Sequence, residues 1–249
     1  MLEIKNLSKS FGKQKVLDGL NLICKKHETT VIIGRSGEGK SVLLKHFIGL
    51  LRPDSGSVLV EGTDITKLHD KGLKKIRARF GYLFQDSALF DFFNVYENVS
   101  FPLREHTSLT EPQIREIVKT KLELVGLPNV ENKKVHELSG GMRKRVGLAR
   151  AIVLDPEIIL YDEPTTGLDP VMTDAIGELI QKTQKELNIT TILISHDISS
   201  TFKIADKIAL LYEGKIILEG NKEEFTANTN PIVRQFLEGT CHGPMRMAL

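Results

Sequence analysis

Residues 34–41 read GRSGEGKS, which fits the spacing G-x-x-x-x-G-K-[ST]. In that pattern the glycines let successive backbone N–H groups close around a phosphate. The lysine neutralises the β- and γ-oxygens, and the last hydroxyl ligates Mg²⁺. Gly34, Arg35, Ser36, Gly37, Glu38, Gly39, Lys40 and Ser41, with Val42 after them, are therefore assigned to a nucleotide polyphosphate. A second stretch suited to an anion lies a hundred residues on, in LSGGMRKRV at 138–146. There Ser139, Gly140 and Gly141 open a basic helix, offering a hydroxyl, bare amides and a helix N-terminus. Taken alone, those three residues also have a plainer reading, as a helix cap.

Asp162 and Glu163 close the apolar run EIILYDEP. Neighbouring strand residues point to opposite faces, so both carboxylates address one ligand only if the strand ends there, and Pro164 favours a break. In open parallel sheets, ligands bind beyond the carboxyl ends of the strands. Gln85, Asp162, Glu163 and His196 each fall just past such an end and are expected to gather near Lys40. Asp162 then holds Mg²⁺ through water, Glu163 polarises the attacking water, and His196 senses or braces the γ-phosphate. Gln85 is assigned to both the metal and the reacting phosphate. As an isolated residue, His196 reads as a polar strand terminus. His27, His46, His69, His106, His136 and His242 lack such company and read as surface or packing residues.

The base is less legible. A guanine-reading N-K-x-D is missing, since NKEE at 221–224 does not match. Phe11 sits in a turn where it can stack on adenine, but stacking tolerates any base.

Placing these groups requires a particular scaffold. Four apolar runs precede helical patterns: TTVIIG (29–34), ARFGYLFQ (78–85), EIILYDEP (157–164) and TTILISHD (190–197). Such runs indicate buried parallel strands. LEIKNLSKSF, KVLDGLNLIC and SVLVEG look antiparallel, as does KIALLYEGKIILEG with a two-residue turn at Glu213-Gly214. Between 86 and 154 strands give way to helical spacing, in EPQIREIVKTKLELVGL and GGMRKRVGLARAIVL. The reading is an α/β nucleotide-binding core over 1–85 and 155–225, with an antiparallel β subdomain at its N-terminus. An α-helical subdomain is inserted at 86–154, and a tail follows over 226–249.

Composition narrows the class. The 249 residues are 41% hydrophobic and 27% charged, a soluble globular balance, and a net charge of +2 gives no footprint for nucleic acid. Cys24 and Cys241 form no C-x-x-C or zinc spacing and read as packing and tail residues in a reducing compartment. MLEIKNLSKSFG lacks the apolar centre of a secretory signal, and no run reaches the ~18 apolar residues of a membrane helix. A cytosolic chain is expected, reaching any membrane through a partner.

GRSGEGKS, Gln85, LSGGM, IILYDEP, TGLD and His196 stand in the order and intervals of the ABC ATPases, and the resemblance covers essentially the whole chain. It implies a RecA-like P-loop core, ATP and Mg²⁺ as cofactors, and a homodimer packed head to tail. The signature turn of one copy, Ser139 to Gly141, then closes over the γ-phosphate held by the other, and Leu168-Asp169 lies across the interface. Met142 stands where that family carries Gln, and Val42 where Thr is commoner. Both features, with the tail PIVRQFLEGTCHGP, resemble the Mla-type branch paired with MCE lipid-transport permeases. This resemblance implies phospholipid transport and a place on the cytoplasmic face of the inner membrane. It also implies an MCE subunit and a small STAS-type subunit as further partners, and a tail that clasps a neighbour through Arg234, Phe236 and Leu237. Without it, the tail reads as a frayed terminal helix.

Aromatics crowd FGYLFQDSALFDFFNVYENVSFPL at 80–103. Some serve the core, but Phe90, Phe92 and Phe93 just past Gln85 are read as an apolar groove for a permease helix. Rival readings are an amino-acid or metal importer and a signalling ATPase without transport. A repair ATPase would need a long coiled coil between its motifs, and a translation factor would need two nucleotide domains.

Overall fold

The computed structural model describes residues 1–245; the end of the tail read above, 246–249, lies outside the described residues. The chain divides into two compact units, one formed by Met1–Leu68 with Ile194–Leu249, the other by His69–Leu193.

The first unit opens with β1 (Leu2–Phe11) and β2 (Gln14–Cys24), paired antiparallel from Leu2↔Cys24 to Phe11↔Gln14. Asn6 adopts φ 47°, and the register slips between Ile4 and Leu7. The bulge moves the inward face from Leu2 and Ile4 to Leu7, which keeps all three buried. β3 (Thr29–Ile33) is buried along its length, as a strand covered on both faces must be. It leads through the glycine loop into α1 (Lys40–Phe47). β4 (Ser55–Val60) returns antiparallel to β1, and β5 (Thr63–Asp64) completes a sheet ordered β2-β1-β4-β5.

The second unit contains α2 (Asp70–Arg77), β6 (Phe80–Leu83), α3 (Val95–His106), α4 (Glu111–Leu124), α5 (Gly140–Ile152), β7 (Ile158–Asp162), α6 (Pro170–Leu187) and most of β8 (Thr190–Ser195). β6 pairs parallel with β7, from Phe80↔Ile158 to Leu83↔Tyr161. Helices fill the span between those strands, with only an isolated bridge, Asn94↔Lys134, among its described residues. Asn94 and Glu97 form a capping box that starts α3, and Ser139 caps α5. Val99, Leu103, Val118, Leu122, Val146 and Ala149 are buried in this helical part. Lys121 reaches Asp155 at 2.5 Å and ties α4 to the turn after α5.

The chain then re-enters the first unit with α7 (Ile198–Ile204), β9 (Lys207–Tyr212), β10 (Lys215–Gly220), α8 (Lys222–Ala227) and α9 (Pro231–Glu238). β9 lies parallel to β3, from Thr30↔Lys207 to Ile33↔Leu210. Glu213 (φ 46°) and Gly214 (φ 75°) make the two-residue turn into β10, and both positive dihedrals match the twist of a hairpin. Helix α9 is capped at both ends, by Asn230 and by left-handed Gly239. Buried Gln235 draws the following chain back, accepting from Met245 N at 2.7 Å. Arg234 pairs with Glu238 along the same helix, and Phe236 and Leu237 are half-buried. Both cysteines are free. Cys24 is enclosed, and burial pushes its thiol up to about 12; Cys241 is exposed.

Candidate functional site

In the first unit the site is the loop from β3 into α1. Gly34 takes φ 158°, and a Cβ there would sit 2.5 Å from the Leu211 carbonyl oxygen, so no larger residue fits. Gly37 (φ 83°) and Gly39 (φ 95°) turn the backbone, and Gly39 opens α1 with no side-chain cap. The first turn of α1 carries no acidic residue, so none within the helix opposes its positive end. Lys40 is 4% exposed, and its ammonium donates to the carbonyl oxygens of Gly34 and Arg35, both at 2.9 Å. Glu38 accepts from Glu213 N at 2.7 Å, which fixes the loop to the β9–β10 turn. Ser36 and Gly37 are exposed, while Arg35, Ser41 and Val42 are half-buried. Phe11 is not in the turn, as the sequence suggested, but ends β1 opposite Gln14; it is 48% exposed, with the Lys9 ammonium 5.7 Å from its ring centre. His196 follows β8 and is exposed; beside it Asp197 caps α7 through Ser199 N at 2.9 Å.

The second unit holds the remaining groups. β7 stops at Asp162, and Glu163 turns left-handed at φ 49°, a conformation uncommon for a non-glycine residue. The turn breaks the alternation of the strand between the two carboxylates. Asp162 is buried, and the Tyr82 hydroxyl donates to its Oδ2 at 3.1 Å. Burial, with that carboxylate beside it, pushes the Tyr82 phenol far above its usual range. Thr166 donates to Glu163 Oε2 at 3.0 Å. Gln85 lies two residues past β6 with its side chain exposed, and its carbonyl accepts a hydrogen bond from the Lys144 ammonium on α5. Burial pulls Lys144 below the usual lysine range, against the nearby carboxylates of Asp86 and Glu163.

Ser139 is exposed at the head of α5, where its hydroxyl accepts from Met142 N at 3.3 Å. Gly141 is buried, and a Cβ there would overlap the terminal methyl of Met172; one at Gly140 would meet Leu168 at 3.5 Å. The Leu168-Asp169 turn is thus a direct neighbour of the signature turn within this unit. Asp169 caps α6, accepting from Val171 N and Met172 N at 2.9 and 3.0 Å. Beyond Gln85, the Phe90 ring centre lies 5.6 Å from Phe92, 5.4 Å from Phe93 and 5.2 Å from Phe101, and Phe92 is 72% exposed.

Three participants were not singled out from sequence: Tyr82, Lys144 and Thr166. Lys144 carried a signal, because Gly141, Lys144 and Leu148 share one buried stripe of α5, and a lysine at a core position of an amphipathic helix asks for a partner. The oxygen donors named for a metal are the Ser41 hydroxyl, the Gln85 amide and the Asp162 carboxylate, a set whose chemistry suits a hard cation such as Mg²⁺.

Comparison with known proteins identifies the family. Residues 17–166 match the family described as ABC transporter. The chain is 44% identical to the intermembrane phospholipid transport system ATP-binding protein MlaF of Haemophilus influenzae, over 99% of this chain and 93% of that protein. It is 47% identical to the probable ribonucleotide transport ATP-binding protein mkl of Mycobacterium leprae, over 99% of this chain and 71% of that protein. The dimeric post-hydrolysis structure of the ATP-binding cassette MJ0796, bound to ADP and phosphate, superposes with a TM-score of 0.81 at 31% identity. That match covers 89% of this chain and 98% of the other. The chain belongs to the ABC transporter family: it has the α/β P-loop fold, binds and hydrolyses ATP, and is the ATP-driven subunit of a transporter.

Proposed function

We propose that two copies of this ABC ATPase enclose two ATP molecules and drive an integral membrane permease that moves phospholipid. The observation that carries the shared-site reading is the division of labour between the units. The phosphate loop is built into the first, and the second presents an exposed Ser139 and a helix N-terminus with no phosphate loop of its own. In the dimer, residues 34–42 hold the phosphates of one ATP with Phe11 against the base, and Ser139, Gly140 and Gly141 of the other copy cover its γ-phosphate. ATP then acts as glue between the copies, and its hydrolysis removes the charge that joins them. Asp169, through the turn it caps, lies near the seam.

Ser41, Gln85 and Asp162 would hold Mg²⁺, which when bound neutralises charge on the β- and γ-oxygens. Glu163 orients and polarises the attacking water, with Thr166 fixing one of its carboxylate oxygens. His196 braces the γ-phosphate. The working division is a core of 1–85 and 155–225, a helical insertion at 86–154 and a tail from 226 that clasps the neighbouring copy. The permease docks at Phe90–Phe93, next to Gln85, with an MCE subunit and a small STAS-type subunit as further partners. This arrangement puts the chain on the cytoplasmic face of the inner membrane. Among the described residues no helix is long and apolar enough to cross a membrane, so attachment runs through the permease.

Phospholipid is favoured by the length of the match to the Haemophilus protein, together with Met142 in the signature turn. Ribonucleotide, the substrate class in the name of the Mycobacterium relative, is the second reading. Purification of the tagged chain from detergent-solubilised membranes separates the two. A multi-span permease with a single-span MCE subunit and co-purifying phospholipid is expected. A complex with a solute-binding protein and no MCE subunit would overturn the lipid assignment.

A further inference from the structure

Lys144 and Arg150 of α5 are not used by the reading above. Lys144 is buried and Arg150 half-buried, and both aim their charge at peptide carbonyls of one loop. The Lys144 ammonium donates to the Gln85 carbonyl, and Lys144 is 7% exposed. The Arg150 guanidinium donates to Ser87 O at 2.6 Å and to Ala88 O at 2.9 Å. Ser87 and Ala88 both stand left-handed, at φ 60° and 46°, so this is a shape the chain does not adopt without support. From the other side, fully buried Asn98 of α3 grips Phe90, accepting from its N–H at 2.8 Å and donating to its carbonyl at 3.1 Å. Burying a cation disfavours the fold relative to an apolar side chain of the same size. Lys144 and Arg150 together fix the path of this one loop.

We infer that Lys144 and Arg150 are positioning residues that hold the backbone after β6 so that the Gln85 side chain faces the nucleotide. The inference rests on the reading of Gln85 as a nucleotide-facing group. Lys144 stands one helical turn from Gly141, so the segment that sets Gln85 is the same rigid helix that ends in the signature turn. The hydrogen bonds of both cations run to main-chain oxygens of the loop; Arg150 also lies 5.8 Å from the Phe90 ring centre, and Lys144 faces the Asp86 and Glu163 carboxylates. Removing the Gln85 side chain therefore leaves the clamp intact and takes away what it positions.

A double-mutant cycle on the full chain tests this. Lys144→Met should lower kcat for ATP about ten-fold or more, the worth of a hydrogen bond to a charged group, with KM unchanged. Lys144→Arg should restore most of the loss. In a Gln85→Ala background, Lys144→Met should cause no further loss. Amide hydrogen exchange across residues 86–90 should quicken in Lys144→Met while the melting temperature holds. If Lys144→Met fails to fold, Arg150→Lys, which keeps the charge but loses the fork, enters the same cycle. Losses that multiply with Gln85→Ala would mean action through another group, such as Glu163, and would overturn the inference. So would a rise in KM with a fall in melting temperature, or undiminished kcat in a chain that Gln85→Ala does slow. If Gln85→Ala costs nothing, the reading of Gln85 fails first and takes the clamp's purpose with it.

Discussion

The phosphate loop and the signature turn are both glycine-rich entries into a helix, yet they are built in opposite ways. The phosphate loop is braced from within its own unit. Lys40 is buried and bonded to two loop carbonyls, Gly34 lies against the Leu211 backbone, and Glu38 is bonded to the β9–β10 turn. The signature turn is braced by side chains, the Arg143 guanidinium donating to Leu138 O at 2.7 Å. Gly141 rests on the flexible end of Met172, while Ser139 above it is exposed and satisfies one amide of its own helix. A site closed around its ligand needs a rigid frame. A surface that closes onto a ligand held elsewhere needs an accessible face and some give beneath it.

The largest effect should come from the rigid side. Lys40→Ala removes the buried ammonium proposed to neutralise the γ-phosphate, and ATP turnover should fall at least about 10²- to 10³-fold. Near wild-type turnover would dissolve the comparison by showing that this loop is not the phosphate site. The two glycines sharpen it next. Gly34→Ala sets a Cβ against backbone that cannot yield, and should destabilise the chain by about 1–3 kcal/mol or more in chemical denaturation. Gly141→Ala meets a movable methyl, so denaturation should shift far less while turnover falls. Met172→Ala should recover part of that turnover. Equal destabilisation by both substitutions would mean that the signature turn is as rigidly seated as the phosphate loop.

A smaller effect is expected at the aromatic patch beside Gln85. Phe92 is 72% exposed, so Phe92→Ser with Phe93→Ser should leave the melting temperature and basal hydrolysis nearly unchanged. Transport by the assembled permease complex should fall, and unchanged transport would remove the patch from the docking surface. The smallest effect lies on α1, behind the phosphate loop. His46 is buried, its Nδ1 is 2.8 Å from the Val42 carbonyl, and burial holds its pKa below the ordinary 6.5. The unfolded chain therefore binds a proton that the folded chain refuses. His46 thus contributes stability at neutral pH that is lost as pH falls below about 6.5, by at most about 1.4 kcal/mol per pH unit. His46→Gln should flatten the denaturation free energy between pH 6.5 and 5, and an unaltered pH slope would refute this.

How far these features were legible in the sequence follows from the kind of signal each one leaves. The phosphate loop, β3, β7 and the Glu213-Gly214 turn are local, with glycine spacing, apolar runs and turn residues all adjacent in the chain. Asp162 and Glu163 were also local, because the problem of two carboxylates on opposite faces called for a break, and the left-handed Glu163 is that break. The clamp on the Gln85 loop is non-local, since Lys144 meets a carbonyl 59 residues away. Lys144 showed only as a charge in an apolar stripe, and Asn98 only as a polar residue within a helix. Tyr82 is similar: its bond to Asp162 depends on the parallel register of β6 and β7, which no spacing within either strand reveals.

The central claim is that one copy holds ATP and a second copy completes the site. Sedimentation of the Glu163→Gln chain, which should bind ATP without consuming it, tests this most directly. With Mg²⁺ and ATP it should run as a dimer carrying two nucleotides, and without ATP, or with Ser139→Arg added, as a monomer. A nucleotide-loaded Glu163→Gln chain that remains monomeric at every concentration, while the unsubstituted chain turns over ATP at a rate per subunit independent of dilution, would contradict the claim.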